Sequence, residues 1–158
     1  MAIEDYCRRD VATIDVEATC RSAAQRLADE NLGCLVVTEK GRVRGVVTDR
    51  DLGVRLVREG LDAAHTPLSQ FIDGEPIVIG AKRPVRIALY LMRKHAVRRL
   101  PVLDEKGRLV GLFAWDDGIR LLAGELAQVA ATIARQGPHL PIPPSRALVE
   151  IASSGESA

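Results

Sequence analysis

The chain has 158 residues, 47% of them hydrophobic and only 3% aromatic, which suits one ordinary domain, or two small halves sharing a core of Val, Ile, Leu and Ala. Twenty-two Lys and Arg against 21 Asp and Glu leave a net charge of +1, too balanced for a protein whose main partner is a nucleic acid or an anionic membrane. Cys7, Cys20 and Cys34, and likewise His65, His95 and His139, lack the spacing of a disulfide framework, a zinc ribbon or a helical His pair. Reduced thiols and no metal are therefore expected. No apolar run approaches the ~20 residues of a membrane span, and Met1 to Asp10 is too charged for a signal peptide, so a cytoplasmic location is expected.

In chain order, Ala12 to Ile14 reads as a short strand. An amphipathic helix follows, with Ala23, Ala24 and Leu27 on its inner face. Cys34 to Thr38 and Val43 to Thr48 are β runs joined by the Glu39-Lys40-Gly41 turn, where glycine supplies a positive φ. A second helix spans Asp49 to Arg58, and Gly60 to Ser69 is a linker. The same order then returns. Ile77 to Ile79 is a strand, and Ala88, Leu89 and Met92 mark a helix. Leu100 to Leu103 and Leu109 to Ala114 flank the Glu105-Lys106-Gly107 turn, and a last helix covers Asp116 to Arg135. Gly137 to Pro144 must end that helix, because prolines cannot continue it. The remaining tail reads as flexible, although Leu140, Ile142, Leu148, Val149 and Ile151 could pack on a partner.

The recurrence holds residue by residue. With a shift of 65, Tyr6-Cys7 falls on Phe71-Ile72, Thr13-Ile14 on Val78-Ile79, Leu27 on Met92, and Leu35-Val36-Val37 on Leu100-Pro101-Val102. One extra residue at Leu103 to Lys106 moves the shift to 66, after which Gly45 matches Gly111, Asp51 matches Asp117 and Leu56 matches Leu122. The fold class expected is α/β (α+β): two pseudo-symmetric β-α-β-β-α motifs packed sheet to sheet as one module. The boundaries expected are 1–65 for the first motif with its linker, 66–136 for the second with its extended last helix, and 137–158 for the Pro-rich tail.

Two segments resemble a known family. Gly45-Val46-Val47-Thr48-Asp49-Arg50-Asp51-Leu52 resembles the signature that closes a cystathionine-beta-synthase (CBS) motif. Val97-Arg98-Arg99-Leu100-Pro101-Val102-Leu103-Asp104 is similar to the basic, Leu-Pro-Val, acidic stretch that opens the central hairpin of a second motif. The resemblance implies a tandem pair, or Bateman module, that binds an adenine nucleotide such as AMP, ADP or ATP. S-adenosylmethionine and NAD are alternatives. It also implies a homodimer that regulates a protein in trans, with no cofactor of its own.

Asp51 is the proposed ribose clamp, since an ionised carboxylate accepts charge-assisted bonds from both ribose hydroxyls. Thr48, three residues earlier at the strand-to-helix junction, and the first amides of the helix can face a phosphate or ribose oxygen. The same residues also spell a capping box, which needs no ligand. Arg98 and Arg99, with Arg50, are candidate phosphate contacts because guanidinium forks match phosphate oxygens. A solvated helix end is the other reading. By the resemblance, Ile14, Leu32, Gly33, Cys34 and Val46 surround the adenine; plain core packing is the other reading of all five and the favoured one for Ile14 and Val46. In the second half Ala114 stands where the first has Thr48, and Gly33-Cys34 is the counterpart of Arg98-Arg99. A cleft at Ile79, Ala114 and Asp117 should therefore bind weakly or stay empty.

The stripe Leu121, Leu122, Leu126, Val129, Ala130 and Ile133 is longer than one motif needs and reads as a dimer contact, with packing on its own module as the other reading. No local pair of carboxylates, Cys-His or Ser-His arrangement suggests an enzyme. The competing reading is a structural or interaction module with empty clefts.

Overall fold

The computed structural model describes residues 2–72 and 74–136. The Pro-rich tail, 137–158, with its apolar residues, lies outside them. Ten regular elements follow in order: β1 (Thr13–Asp15), α1 (Cys20–Asp29), β2 (Cys34–Glu39), β3 (Arg42–Thr48), α2 (Asp49–Glu59), β4 (Ile79–Gly80), α3 (Val85–His95), β5 (Arg99–Leu103), β6 (Leu109–Ala114) and α4 (Trp115–Gln136). Single 3₁₀ turns at Ile3–Asp5 and Leu68–Phe71 precede each half. Residues up to Leu121 form one compact unit, and a second begins at Leu122, of which the rest of α4 is the described part.

The two halves have the same topology. β1 runs parallel to β2, which is antiparallel to β3, and β4, β5 and β6 repeat this arrangement. Even the register irregularity recurs, between Val37 and Thr38 and again between Val102 and Leu103. Lys40 and Gly41 both take positive φ, 49° and 77°, so the first hairpin closes with two residues, the pairing that a type I′ turn requires. The extra residue of the second hairpin enlarges its turn, and the Asp104 carboxylate holds it by accepting from the amides of Lys106 and Arg108, both at 2.9 Å. Those bonds and the Arg108 guanidinium hold that carboxyl below the usual range.

β4 starts two residues later than the Ile77 to Ile79 run suggests. In the first half Val36 donates its amide to the Ala12 carbonyl at 3.0 Å, and Thr13 pairs with Val36. The counterpart of Val36 is Pro101, which has no amide hydrogen to donate. The ladder therefore begins only at Ile79, opposite Val102.

Each core is closed by the segment that leads into the other half. Ile3 is fully buried among Ile79, Val85, Ala88, Leu100 and Phe113 of the second half, whereas Leu68 is fully buried among Val16, Ala23, Leu35 and Val47 of the first. The backbone contacts match under the repeat. Ile3 donates to Arg83 O at 2.9 Å as Leu68 donates to Ala18 O at 2.9 Å, and the bridge Ala2–Pro84 corresponds to Thr19–Pro67. Further along, Cys7 lies on Gly111 as Ile72 lies on Gly45. Burial of ~1.5–3 kcal/mol per large aliphatic side chain makes Ile3 and Leu68 principal links between the motifs.

Gly111 has no room for a side chain: a Cβ there would meet Cys7 Sγ and stand 3.0 Å from the Arg8 carbonyl oxygen. Gly111→Ala should therefore destabilise the protein by about 1–3 kcal/mol in urea unfolding, and adding Cys7→Ala should restore part of the loss. An unchanged midpoint in Gly111→Ala would show that the leading segment does not press on β6.

Candidate functional site

Thr48 ends β3 in an extended conformation and caps α2. Its hydroxyl accepts from the Asp51 amide at 3.1 Å and donates to Asp51 Oδ2 at 2.7 Å, and the same carboxylate oxygen accepts from the Thr48 amide at 3.0 Å. The capping box is therefore real. It engages Oδ2 alone, and Asp51 Oδ1 takes no hydrogen bond from the described residues. The expectation that free amides of this helix start would meet a phosphate needs correction. The Asp51 amide is held by Thr48, and the Arg50 amide is held by Asp49 Oδ1 at 2.8 Å, because side-chain acceptors at a helix start satisfy its orphan donors first.

Asp51 lies on a cleft of about 580 Å³ lined by Val46 and Thr48 to Asp51 from the first motif and by Ala96 to Arg99 from the second. Six sequence-selected residues meet there: Val46, Thr48, Arg50, Asp51, Arg98 and Arg99. None of the three arginines forms an ion pair with a described residue. A smaller recess of about 180 Å³ shares Val46, Val97 and Arg99 with the cleft and is walled by Gly45, Ile72, Pro76 and Ile77.

Ile14, Leu32, Gly33 and Cys34 do not line this cleft. Ile14 is 7% exposed and belongs to the first core, against which Leu32 also packs. Gly33 lies under the Arg99 side chain, since a Cβ there would be 2.7 Å from Nη2. Cys34 is buried, which pushes its thiol up against the pull of the Arg99 and Arg8 guanidinium groups, so it is no thiolate nucleophile at neutral pH. The cleft takes its helix start from one motif and its opposite wall from the other. The apolar wall is therefore Val97, shared by cleft and recess, with Ile77 in the recess, and their first-half counterparts are Leu32 and Ala12. Val97 heads the quoted basic stretch and was legible as a neighbour of Arg98; Pro76, Ile77 and Ile72 carried no local signal.

The second helix start is built differently. Ala114 has no hydroxyl, so only half a box forms, with the Ala114 amide donating to Asp117 Oδ2 at 3.0 Å. Asp117 Oδ1 lies 3.8 Å from Arg8 Nε, and this carboxylate is only 12% exposed. Arg8 is fixed there by exchanging backbone bonds with Leu112 at 3.0 and 2.9 Å. The leading segment thus supplies a cation that the comparison with Gly33-Cys34 did not reveal. Ile79 is 3% exposed in the second core.

The CBS domain pattern matches residues 3–54 and 68–124, most of the described chain. The chain belongs to the CBS domain family. Among curated relatives, the CBS domain-containing protein YhcV of Bacillus subtilis is 32% identical over 140 residues, 87% of this chain and 99% of the relative. Among solved structures, the CBS domain protein PAE2072 from Pyrobaculum aerophilum, complexed with AMP, is 30% identical with a TM-score of 0.66, covering 74% of this chain and 89% of that one. Hypoxic Response Protein I, solved with two coordinated zinc ions, is 27% identical with a TM-score of 0.69, covering 76% and 98%. Among the described residues of the present CBS protein, no group of three or more His, Cys, Asp or Glu could hold a metal ion, and no helix is long and apolar enough to cross a membrane.

The two helix starts predict opposite responses in thermal unfolding. Thr48→Ala should lower stability by about 1 kcal/mol, and Ala114→Thr, which completes the second box, should raise it by about 0.5–1 kcal/mol. Equal melting temperatures across the three proteins would mean that neither cap contributes.

Proposed function

We propose that this CBS pair is a regulatory module, without catalysis of its own, that binds an adenine nucleotide of the AMP, ADP or ATP type in the cleft at Thr48 and Asp51 and acts on a cytoplasmic partner in trans. One observation carries the reading: both motifs line a single cleft that presents a carboxylate oxygen outside the cap, together with three arginines free of acidic partners. Asp51 Oδ1 is the acceptor for ribose hydroxyls. Arg50, Arg98 and Arg99 are the phosphate contacts, and the recess beside Val46 and Ile77 suits a flat apolar base. That a similar protein was solved with AMP adds support. The Arg8–Asp117 contact occupies the equivalent carboxylate in the other half, consistent with one good site per chain.

Calorimetric titration with AMP, ADP, ATP, NAD and S-adenosylmethionine tests this. Asp51→Ala should weaken the preferred ligand about ten- to a hundredfold, the equivalent of ~1.4–2.8 kcal/mol, while Asp117→Ala should leave it unchanged. The alternative is a structural module with empty clefts, and the capping bonds of Asp51 are the observation in its favour. It prevails if no adenosine compound gives heat or raises the melting temperature at millimolar concentration.

The reading includes a homodimer. In α4, Leu122, Leu126, Val129 and Ile133 follow a four-three-four spacing and are 53%, 70%, 55% and 61% exposed, and only Glu125 and Arg135 carry charge between Leu121 and Gln136. A helix with an apolar seam of coiled-coil period and so little charge suits a second copy of itself. Leu126→Glu should turn a dimer into a monomer in analytical ultracentrifugation, and a wild-type monomer at tens of micromolar would remove the dimer from the proposal.

A further inference from the structure

Beside the cleft, between α3 and the start of α4, lies a larger groove of about 850 Å³. Arg86, Leu89, Tyr90, Arg93, Trp115 and Asp116 line it, and it shares Ala96, Val97 and Arg98 with the cleft. The two spaces therefore meet at the turn between α3 and β5. Ala96 holds that turn in a left-handed conformation, φ 54°, as the C-cap of α3, which keeps only a methyl group at the junction.

Charge distinguishes this groove from an ordinary surface hollow. Arg86, Arg93 and Arg98 make no ion pair with a described residue. Cleft and groove together hold five arginines against Asp49, Asp51 and Asp116. Asp49 already accepts from the Arg50 amide, and Asp51 is placed for the sugar. The arginines that remain exceed what one phosphate can use, and two of them, Arg86 and Arg93, line the groove, which Asp51 does not. Asp116 alone remains as an acid in the groove, against Arg86, Arg93 and Arg98, and like charges that outnumber the acids beside them repel one another and stay together more favourably when an anion lies between them.

We infer that the site is selective for phosphate number: it prefers a nucleoside triphosphate over a monophosphate, with Arg98 at the junction and Arg93 and Arg86 contacting the outer phosphates in the α3–α4 groove. This rests on the nucleotide reading of the cleft and assigns to Arg86 and Arg93, both outside the cleft, the role of specificity determinants. Trp115 is the chain's sole tryptophan and lines the groove rather than the cleft. It therefore reports on the outer phosphates and not on the sugar.

The test is a parallel titration of the full chain with AMP and with ATP at one ionic strength, read by calorimetry and by Trp115 emission. ATP should bind at least about tenfold more tightly than AMP, and only ATP should change the emission. The double variant Arg86→Gln with Arg93→Gln should bring ATP to the affinity of AMP and leave AMP as it was. Both side chains are exposed, so the variant should fold, and an unchanged melting temperature verifies this. Equal binding of the two nucleotides by the wild type, or a preference that survives in the double variant, would overturn the inference while leaving the cleft reading intact. Failure of both nucleotides to bind the wild type would overturn the cleft reading itself, and the inference with it.

Discussion

Neither motif closes its own core. Ile3 from the start of the chain completes the second core, and Leu68 from the linker completes the first. A three-stranded sheet with two helices is too small to bury both of its faces, and the reciprocal exchange solves that for the two halves at once. It also brings β3 beside β5, so the start of α2 faces the turn that follows α3. The cleft at Asp51 exists only because the halves interlock in this way.

The same exchange makes the two potential sites unequal. Symmetry would offer two carboxylates at two helix starts. The first follows a threonine, leaves one oxygen outside the cap and faces three arginines from two motifs. The second follows an alanine and is covered by Arg8, which the N-terminal segment carries in on its backbone pairing with Leu112. An arginine that sits on the carboxylate competes directly with a sugar hydroxyl. The chain thus spends one pseudo-symmetric half on closing the fold and leaves the other open.

Much of this was legible in the sequence because it is local. The hairpin turns, the helix start at Thr48-Asp51 and the basic stretch at Arg98-Arg99 each lie within a few neighbouring residues, and the repeat is the return of such local patterns 65 or 66 residues later. The missed features depend on pairing between distant segments. The shortened β4 follows from Pro101 lying opposite Val78, and the covering of Asp117 follows from an N-terminal segment that packs more than 100 residues away in the chain. The adenine wall was read in part from Leu32, Gly33 and Cys34, which precede and open β2, whereas the cleft draws on their counterparts Val97, Arg98 and Arg99, which precede and open β5. A repeat tells which residues are equivalent, but not which copy of each faces which.

The central claim, that the open helix start receives a sugar while the covered one does not, is tested most directly by a crystal structure of the protein grown with ATP. The account predicts ribose hydroxyls within hydrogen-bond distance of Asp51 Oδ1, with Oδ2 still holding the Thr48 amide and Arg8 still on Asp117. A nucleotide seated over Asp117 with Arg8 displaced, and nothing beside Asp51, would contradict it.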